Sequence, residues 1–275
     1  MVAVSRNDAL APEEALRARL RELGSVVVAL SGGADSSVVA AVAHEELGPR
    51  MLAVTGVSAS LSLAELQDIE AFCAARGIPH ETVRTDELSV AGYVENSPDR
   101  CYFCKHELFS RLDEVRRARG FAAVADGTHA GDLAGHRPGK RAGDDLSVIS
   151  PLVDVGATKP TVRAIAARLG LPNAERPSQP CLSSRIAYGV HVTPERLSRV
   201  DRAEAFLKSL GFAEVRVRLH DAIARVEVPT RDLLRAVEHA ALISKELKAM
   251  GFVYVTLDLA GLRSGSLLEV LQDPR

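Results

Sequence analysis

The sequence predicts a doubly wound α/β protein with a parallel sheet, followed by a smaller α+β domain. Two observations predict the first part: short apolar runs rich in β-branched residues, typical of strands buried on both faces, and stretches of helical length between them. A third observation predicts the smaller domain, because the order of elements beyond residue 194 changes to helix, strand, strand, helix, strand.

The first strand is predicted at SVVVAL, residues 25–30, and the helix VVAAVAHEELG that follows its loop is stopped by Gly48. A second buried strand is predicted over 51–59, with an amphipathic helix over 62–77 after it. The same unit then repeats, with strands predicted at 80–85, at 121–126 and near 146–153, and helices at 104–119 and 159–170.

A stretch with four prolines and no clean period, PNAERPSQPCLSSRIAYGVHVTPERL, separates the two parts and is typical of a long functional loop. Beyond it we predict a helix at 194–210, strands at 214–220 and 222–228, a helix at 231–251 and a strand at 252–259. We therefore expect a nucleotide-binding domain over 1–175, a linker over 176–193 and a small substrate-side domain over 194–275.

Composition narrows the classes of function. The net charge of −2 argues against a broad nucleic-acid surface, and no apolar run approaches the roughly 20 residues of a membrane span. The first twenty residues carry acidic side chains and no long apolar region, so we do not expect a signal peptide. Four cysteines without an export signal indicate reduced thiols. We expect a cytoplasmic protein that binds neither membranes nor nucleic acid.

The loop SGGADSS, residues 31–37, joins the first strand to the first helix. Its two glycines let backbone N–H groups turn toward an anion, and the helix that begins near Asp35 directs its positive end to the same place. Neither G-x-x-x-x-G-K-[ST] nor G-x-G-x-x-G is present. We interpret the loop as a phosphate site; the alternative is a glycine-rich turn that caps a helix.

The cysteines fall into two groups. Cys73 occupies an apolar helix position and is predicted to be a core thiol. Cys101 and Cys104 form a C-x-x-C, and Cys181 stands far away in the proline-rich stretch. The pair has three interpretations: no function, a redox dithiol, or metal ligation. Thioredoxin-like dithiols follow the first strand of a βαβ unit, and this pair does not. Three cysteines with His106 could bind zinc, and three thiolates on a 4Fe–4S cluster leave one iron open.

Two segments resemble the PP-loop ATP pyrophosphatases. SGGADSS is similar to their SGGxDS loop, and DGTHAGDL (126–133) is similar to their second nucleotide-side segment. The resemblance implies an adenine nucleotide alpha hydrolase-like fold and Mg²⁺-dependent cleavage of ATP between the α and β phosphates. The ATP-binding residues that it implies are Ser31, Gly32, Gly33, Asp35, Ser36, Ser37 and Gly127.

PSQPCLSSRIAYG (177–189) is similar to the P-x-x-P-C-x-x-S-R-I-x-Y-G segment of the LarE family. RCYFCK, TPERL and VRVRLHDAIARVEV extend the resemblance over most of the chain. These ATP-dependent sulfur transferases build the nickel-pincer nucleotide cofactor of lactate racemase. The resemblance implies that the carboxylates of pyridinium-3,5-dicarboxylate mononucleotide, a small-molecule nucleotide, are adenylylated and converted to thiocarboxylates. It also implies a homo-oligomer.

The LarE family has two forms. In one, a single cysteine gives up its own sulfur; in the other, three cysteines hold a 4Fe–4S cluster that carries the transferred sulfide. Because Cys101, Cys104 and Cys181 are all present, we favour the cluster form, with Cys181 as a sacrificial donor as the alternative. In either form we expect Cys181 to be catalytic, with its thiolate favoured by a cation such as Arg185.

The strand EVRVRLH places valines and a leucine on one face and Arg216, Arg218 and His220 on the other. For a generic protein that second face would be solvent. In this family matching arginines approach an anionic substrate, which suits forked guanidinium contacts. The substrate-binding residues that the resemblance implies are Ser184, Arg185, Glu195, Arg216 and Arg218, with Glu227 as a weaker candidate metal ligand. His129 and Asp132 are interpreted as loop residues.

Three other functions compete. A tRNA thiolase could share the phosphate loop and the three cysteines, but it needs a basic RNA-binding surface. An amidating PP-loop enzyme would explain the loop and not the cysteines. A nucleotide-binding regulatory module with structural zinc would perform no chemistry.

Overall fold

The computed structural model describes residues 10–133, 138–176, 180–263, 265–267 and 269. The start of the cysteine segment, 177–179, therefore lies outside the described residues. The α-helices are α1 Leu10–Leu23, α2 Ala34–Leu47, α3 Leu63–Arg76, α4 Ala91–Val94, α5 Arg100–Arg119, α6 Pro138–Asp145, α7 Pro151–Asp154, α8 Lys159–Arg168, α9 Pro194–Ser209, α10 Leu233–Glu238 and α11 Ala240–Ala249. The strands are β1 Val26–Ala29, β2 Met51–Val57, β3 His80–Arg84, β4 Ala123–Ala125, β5 Arg216–His220, β6 Ile223–Glu227 and β7 Tyr254–Leu257.

The chain forms two compact units. The first comprises the described parts of 1–58, 63–87 and 101–179, and the second those of 59–62, 88–100 and 180–275. The predicted boundaries after residues 175 and 193 stay predictions.

The first unit contains a parallel sheet in the order β3-β2-β1-β4. Its central strand β1 reads VVVA and is buried at every position, which explains why its sequence is continuously apolar rather than alternating. The predicted α/β fold with a parallel sheet is confirmed. All four strands share one direction, so the loops after β1, β2 and β4 leave the same edge of the sheet, the edge where α/β proteins bind ligands.

The middle of helix α2 is apolar on every face, and its six consecutive positions VVAAVA are buried in the core of this unit. Helix α1 was not predicted, yet Leu16 and Leu20 are fully buried in the same core. The carboxylate of Glu13, also fully buried, is paired with Arg17 and Arg168. The start of α2, and with it the loop that precedes it, is therefore attached to a well-packed element.

The strand predicted near 146–153 is wrong. Residue Ile149 forms one isolated bridge with Ala125, and Pro151 then begins α7. Ser147, at φ +55°, stands in a turn that strand geometry does not allow, and proline at the first helical position favours the helix.

The second unit contains a small sheet in the order β5-β6-β7, in which β5 and β6 are antiparallel and β6 and β7 are parallel. The helix predicted at 231–251 is interrupted at His239, whose ring Nδ1 lies 2.9 Å from the carbonyl oxygen of Arg235. Within the described part of the chain, no helix has the length and apolar character needed to cross a bilayer.

Candidate active site

The phosphate loop connects β1 to α2 at the carboxyl edge of the parallel sheet. Gly32 has φ +75°, and a Cβ there would lie 2.8 Å from Cγ1 of Ile69, so both the conformation and the space require glycine. The Ser36 hydroxyl lies 3.1 Å from the hydroxyl of Ser31, accepts the backbone N–H of Ser31 at 3.2 Å and donates to the carbonyl of Gly33. This hydroxyl therefore closes the loop on itself, at the positive end of α2.

Gly127 follows β4 and approaches the same helix end. A Cβ at this position would lie 2.5 Å from the backbone nitrogen of Ser36 and 3.0 Å from the carbonyl carbon of Asp35. The preceding Asp126 accepts hydrogen bonds from the backbone N–H of Thr128 and the hydroxyl of Ser150, which holds this turn in place. The absence of a side chain thus allows two segments to meet beside the loop.

Lys159, the first residue of α8, was missed by sequence reasoning. Its Nζ donates to both carboxylate oxygens of Asp35, at 2.7 and 2.6 Å. A lysine at the first position of a helix opposes the helix dipole, and that unfavourable placement was the signal that could have found it. The pair places a cation and a carboxylate together at the entrance to the loop.

A cavity of about 1240 Å³ opens beside the loop. Its walls are the phosphate loop, one face of α3, Lys159 and part of the segment 170–176, including Asn173. Asn173, also missed from the sequence, donates to the carbonyl of Gly32 and to the hydroxyl of Ser37. The volume lies slightly above the roughly 300–1,000 Å³ of typical small-molecule sites in proteins.

The C-x-x-C pair lies in the first turns of α5. Cys101 is exposed and Cys104 is half-buried, and both are reduced. Their spacing of three places them on one face of the helix. The intervening Tyr102 lies under the guanidinium of Arg141, with 4.4 Å from Cζ to the ring centroid. Among the described residues, no group of three His, Cys, Asp or Glu side chains is arranged to hold a metal ion.

Cys73 is buried in the core of the first unit, as predicted, and burial raises the pKa of its thiol to about 11. It is therefore neutral and inert at physiological pH.

Cys181, in the second unit, is exposed and free. Its Sγ lies 3.0 Å from the hydroxyl of Ser183, and its carbonyl accepts from both the backbone N–H and the hydroxyl of Ser184. Leu182 and Ile186, which follow Cys181 in the chain, are buried. The short turn thus anchors its apolar residues and leaves the sulfur accessible.

Arg185 stabilises the turn that follows Cys181, which we call the cysteine turn. Its guanidinium donates to Glu204 at 2.9 and 3.2 Å, with both side chains buried, and also to the carbonyl oxygens of Pro180 and Cys181. Glu204, missed by sequence reasoning, also accepts the backbone N–H of Val217 at 3.0 Å. The charge of Arg185 is thus balanced by a carboxylate, and its contacts fix the backbone on which Cys181 stands.

The predicted apolar face of β5 is confirmed, since Val215, Val217 and Leu219 are buried. The opposite face is not simply solvent, because Arg218 is only 3% exposed. Arg218 donates to Glu227 at 3.1 Å, to the carbonyl of Ser184 at 2.9 Å and to the hydroxyl of Ser266. It therefore ties the sheet to the cysteine turn.

Glu227, the weaker candidate metal ligand, is fully buried in β6. It pairs with Arg218 and Arg225 and accepts from Ser266 at 2.7 Å. Arg216 donates to the carbonyl of Arg263, and burial, with the neighbouring charges of Arg218 and Arg185, lowers the pKa of Arg216. A bound anion would relieve that electrostatic penalty, so the arginine face is suited to an acidic ligand.

The remaining candidates have local contacts. Glu195 is exposed in the first turn of α9, where hydrogen bonds from its own backbone N–H and from Thr193 lower its pKa. His129 is buried in the turn after β4 and donates its backbone N–H to Asp132 at 3.3 Å, as expected of loop residues.

The amino-acid sequence matches one family model and resembles several known proteins. Residues 10–102 match the asparagine synthase family model. The pyridinium-3,5-bisthiocarboxylic acid mononucleotide synthase of Lactiplantibacillus plantarum is 36% identical over 93% of this chain and 93% of its own length. An uncharacterised protein of Synechocystis is 43% identical over 94% of this chain and 97% of its own length. A tRNA-specific 2-thiouridylase of Synechococcus is 33% identical over 60% of this chain and 53% of its own length.

Proposed function

Because the chain belongs to the LarE family of PP-loop enzymes, and is therefore an ATP-dependent sulfur transferase that forms AMP and pyrophosphate, we propose that it acts on the carboxylates of pyridinium-3,5-dicarboxylate mononucleotide. It converts them to thiocarboxylates for the nickel-pincer cofactor. The observation that carries this proposal is the exposed thiol of Cys181 on a turn fixed by two buried arginines, Arg185 and Arg218.

The first step makes the carboxylate reactive. A carboxylate oxygen attacks the α phosphorus of ATP, the bond to the β phosphate breaks, and pyrophosphate leaves with its electron pair. The phosphate loop supports this step, because its glycines and the N-terminus of α2 favour the negative charge of the departing group. Lys159 can supply a further positive charge to the departing pyrophosphate, and its partner Asp35 can bind Mg²⁺.

The second step transfers sulfur. A sulfur nucleophile attacks the carbonyl carbon of the adenylate, and AMP leaves. The arginine face of β5 supports binding of the acidic substrate, with Arg216 as the first candidate contact. Arg218 and Arg185 are buried and paired with Glu227 and Glu204, so they stand with Ser184 and Glu195 as further candidates. Glu227 is better explained as the buried counter-ion of Arg218 than as a metal ligand, since it is fully buried and accepts from Arg218, Arg225 and Ser266.

The origin of the sulfur depends on the three cysteines. Cys101, Cys104 and Cys181 are reduced cysteines that are exposed or half-buried, and three thiolates are a donor set that fits iron–sulfur ligation. When bound, a 4Fe–4S cluster with one open iron would carry an exogenous sulfide, and the three thiolates would hold it. In the alternative, Cys181 is the nucleophile: its sulfur bonds to the carbonyl carbon, a base removes its Cα proton, and the Cβ–S bond breaks to leave dehydroalanine and the thiocarboxylate.

Metal analysis separates these two origins. The protein is purified without oxygen and reconstituted with iron and sulfide; iron, labile sulfide and zinc are then measured per chain. Four irons that are lost in both Cys101→Ala and Cys181→Ala support the cluster. An iron-free chain that loses the mass of one H₂S after turnover supports the sacrificial cysteine.

Thiolation of tRNA is the second candidate, favoured by the similarity to the 2-thiouridylase. The net charge of −2 opposes it, because RNA binding requires neutralised phosphates. Incubation with ATP, a sulfide source and either the mononucleotide or unmodified tRNA decides between them by which of the two gains sulfur.

A further inference from the structure

Asn173 contacts the phosphate loop from the segment after α8, 141 positions along the chain from Gly32. Its side-chain nitrogen donates to the carbonyl oxygen of Gly32 at 2.9 Å and lies 2.8 Å from the hydroxyl of Ser37. The residue is only 7% exposed and lines the cavity beside the loop. One buried amide thus contacts both the turn of the loop and the first turns of α2.

The hydrogen bond from Asn173 to the carbonyl of Gly32 also determines the direction of the backbone N–H of Gly33. A trans peptide is planar, so the N–H of Gly33 points opposite to the carbonyl of Gly32. With that carbonyl held by Asn173, the N–H of Gly33 faces away from Asn173. Gly32, at φ +75°, is confined on another side by Ile69, which would lie 2.8 Å from a Cβ. The Gly32–Gly33 peptide is therefore held in one orientation.

The side-chain oxygen of Asn173 also indicates that the amide serves the loop. Oδ1 of Asn173 is buried and has no hydrogen-bond partner among the described residues. Buried polar atoms nearly always have one, so a side chain that served only its own segment would be expected to satisfy both ends. Instead its donor is directed to the loop.

We propose that Asn173 is a positioning residue for the phosphates of ATP: it fixes the Gly32–Gly33 peptide so that the N–H of Gly33 is presented to the bound anion. The identity of that anion rests on the proposed function, whereas the effect on the loop does not. Without the amide, the Gly32–Gly33 peptide can rotate, and ordering it when the anion binds reduces the affinity.

The test measures binding of inorganic pyrophosphate with Mg²⁺ by isothermal titration calorimetry. Asn173→Asp keeps the shape of the side chain and replaces its donor by an acceptor opposite the Gly32 carbonyl. Asn173→Ala removes the contact altogether. The matched control is Asn96→Ala in the second unit, where another buried amide donates to the carbonyls of Ala187 and Val190. Circular dichroism checks that each variant is folded.

We expect both variants of Asn173 to bind pyrophosphate about tenfold more weakly, the effect of about one lost hydrogen bond to the loop, while Asn96→Ala binds like the wild type. Wild-type affinity in a folded Asn173→Asp protein overturns the inference and leaves the proposed function intact. Equal weakening in Asn96→Ala also overturns it. A wild-type chain that binds no pyrophosphate at all contradicts both, because the loop is then not the anion site.

Discussion

The ammonium nitrogen of Lys159 lies 2.6 and 2.7 Å from the two carboxylate oxygens of Asp35, across the entrance to the phosphate loop. Neither residue is fully buried, so the pair itself contributes little to stability. A carboxylate at this place can bind a hydrated cation, and the lysine then becomes available to a phosphate.

Replacement of Lys159 by alanine is expected to raise the KM for ATP by about ten- to a hundredfold, because a charged hydrogen bond to phosphate is lost. The measurement is pyrophosphate release as a function of ATP concentration. Lys140→Ala is the matched control, since Lys140 pairs with Asp144 on the surface of α6. An unchanged KM in Lys159→Ala would remove Lys159 from the nucleotide site.

Gly127→Ala is expected to destabilise the protein by about 1–3 kcal/mol and to weaken ATP binding, because the added Cβ would lie 2.5 Å from the backbone of Ser36, which cannot move without displacing the loop. Urea unfolding and ATP titration measure the two effects. Gly143→Ala is the control, because among the described residues its Cβ would meet Phe109 and Val148 at the ordinary distances of 3.6 and 3.8 Å, in a helix that favours alanine. If the two variants behave alike, the close approach of Gly127 has no consequence.

Glu204→Gln leaves the buried guanidinium of Arg185 without its counter-ion. Removal of one partner of a buried pair costs roughly 3–5 kcal/mol, so we expect a marked fall in the urea midpoint and slower sulfur transfer as the cysteine turn loosens. Glu214→Gln serves for comparison, since Glu214 pairs with Arg231 on the surface and should change stability by less than about 1 kcal/mol. Similar losses from both variants would show that the Arg185–Glu204 pair has no special role.

Cys73 gives the stability a pH dependence. Burial raises the pKa of its thiol from 9.0 to about 11, so the folded state retains a proton that the unfolded state releases. This contribution is fully present below pH 9 and is lost as the pH rises toward 11, by roughly 2–3 kcal/mol. Urea unfolding between pH 8 and pH 11 should show the decrease in the wild type, with a smaller decrease in Cys73→Ala. Parallel pH curves would contradict the assignment.

Local patterns predicted the parallel sheet, the phosphate loop and the irregular segment that carries Cys181. They could not predict Asn173, Lys159 or Glu204, because each acts on a residue from another element and only folding brings the two together. The alternation of β5 predicted its apolar face correctly, yet the burial of Arg218 depends on Glu227 and Ser266, which no pattern in β5 contains. The break at His239 is local and was also missed, because a pattern of apolar positions does not report that the ring Nδ1 and the backbone N–H of His239 both lie against the carbonyl oxygen of Arg235.

The most direct test of the central claim is mass spectrometry of pyridinium-3,5-dicarboxylate mononucleotide after incubation with the protein, Mg²⁺, ATP and sulfide. The wild type should replace a carboxylate oxygen by sulfur and release one AMP and one pyrophosphate for each sulfur transferred. Cys181→Ala should still cleave ATP but form no thiocarboxylate. Sulfur transfer that persists in Cys181→Ala, or ATP cleavage that never yields a sulfur-containing product in the wild type, would contradict the account.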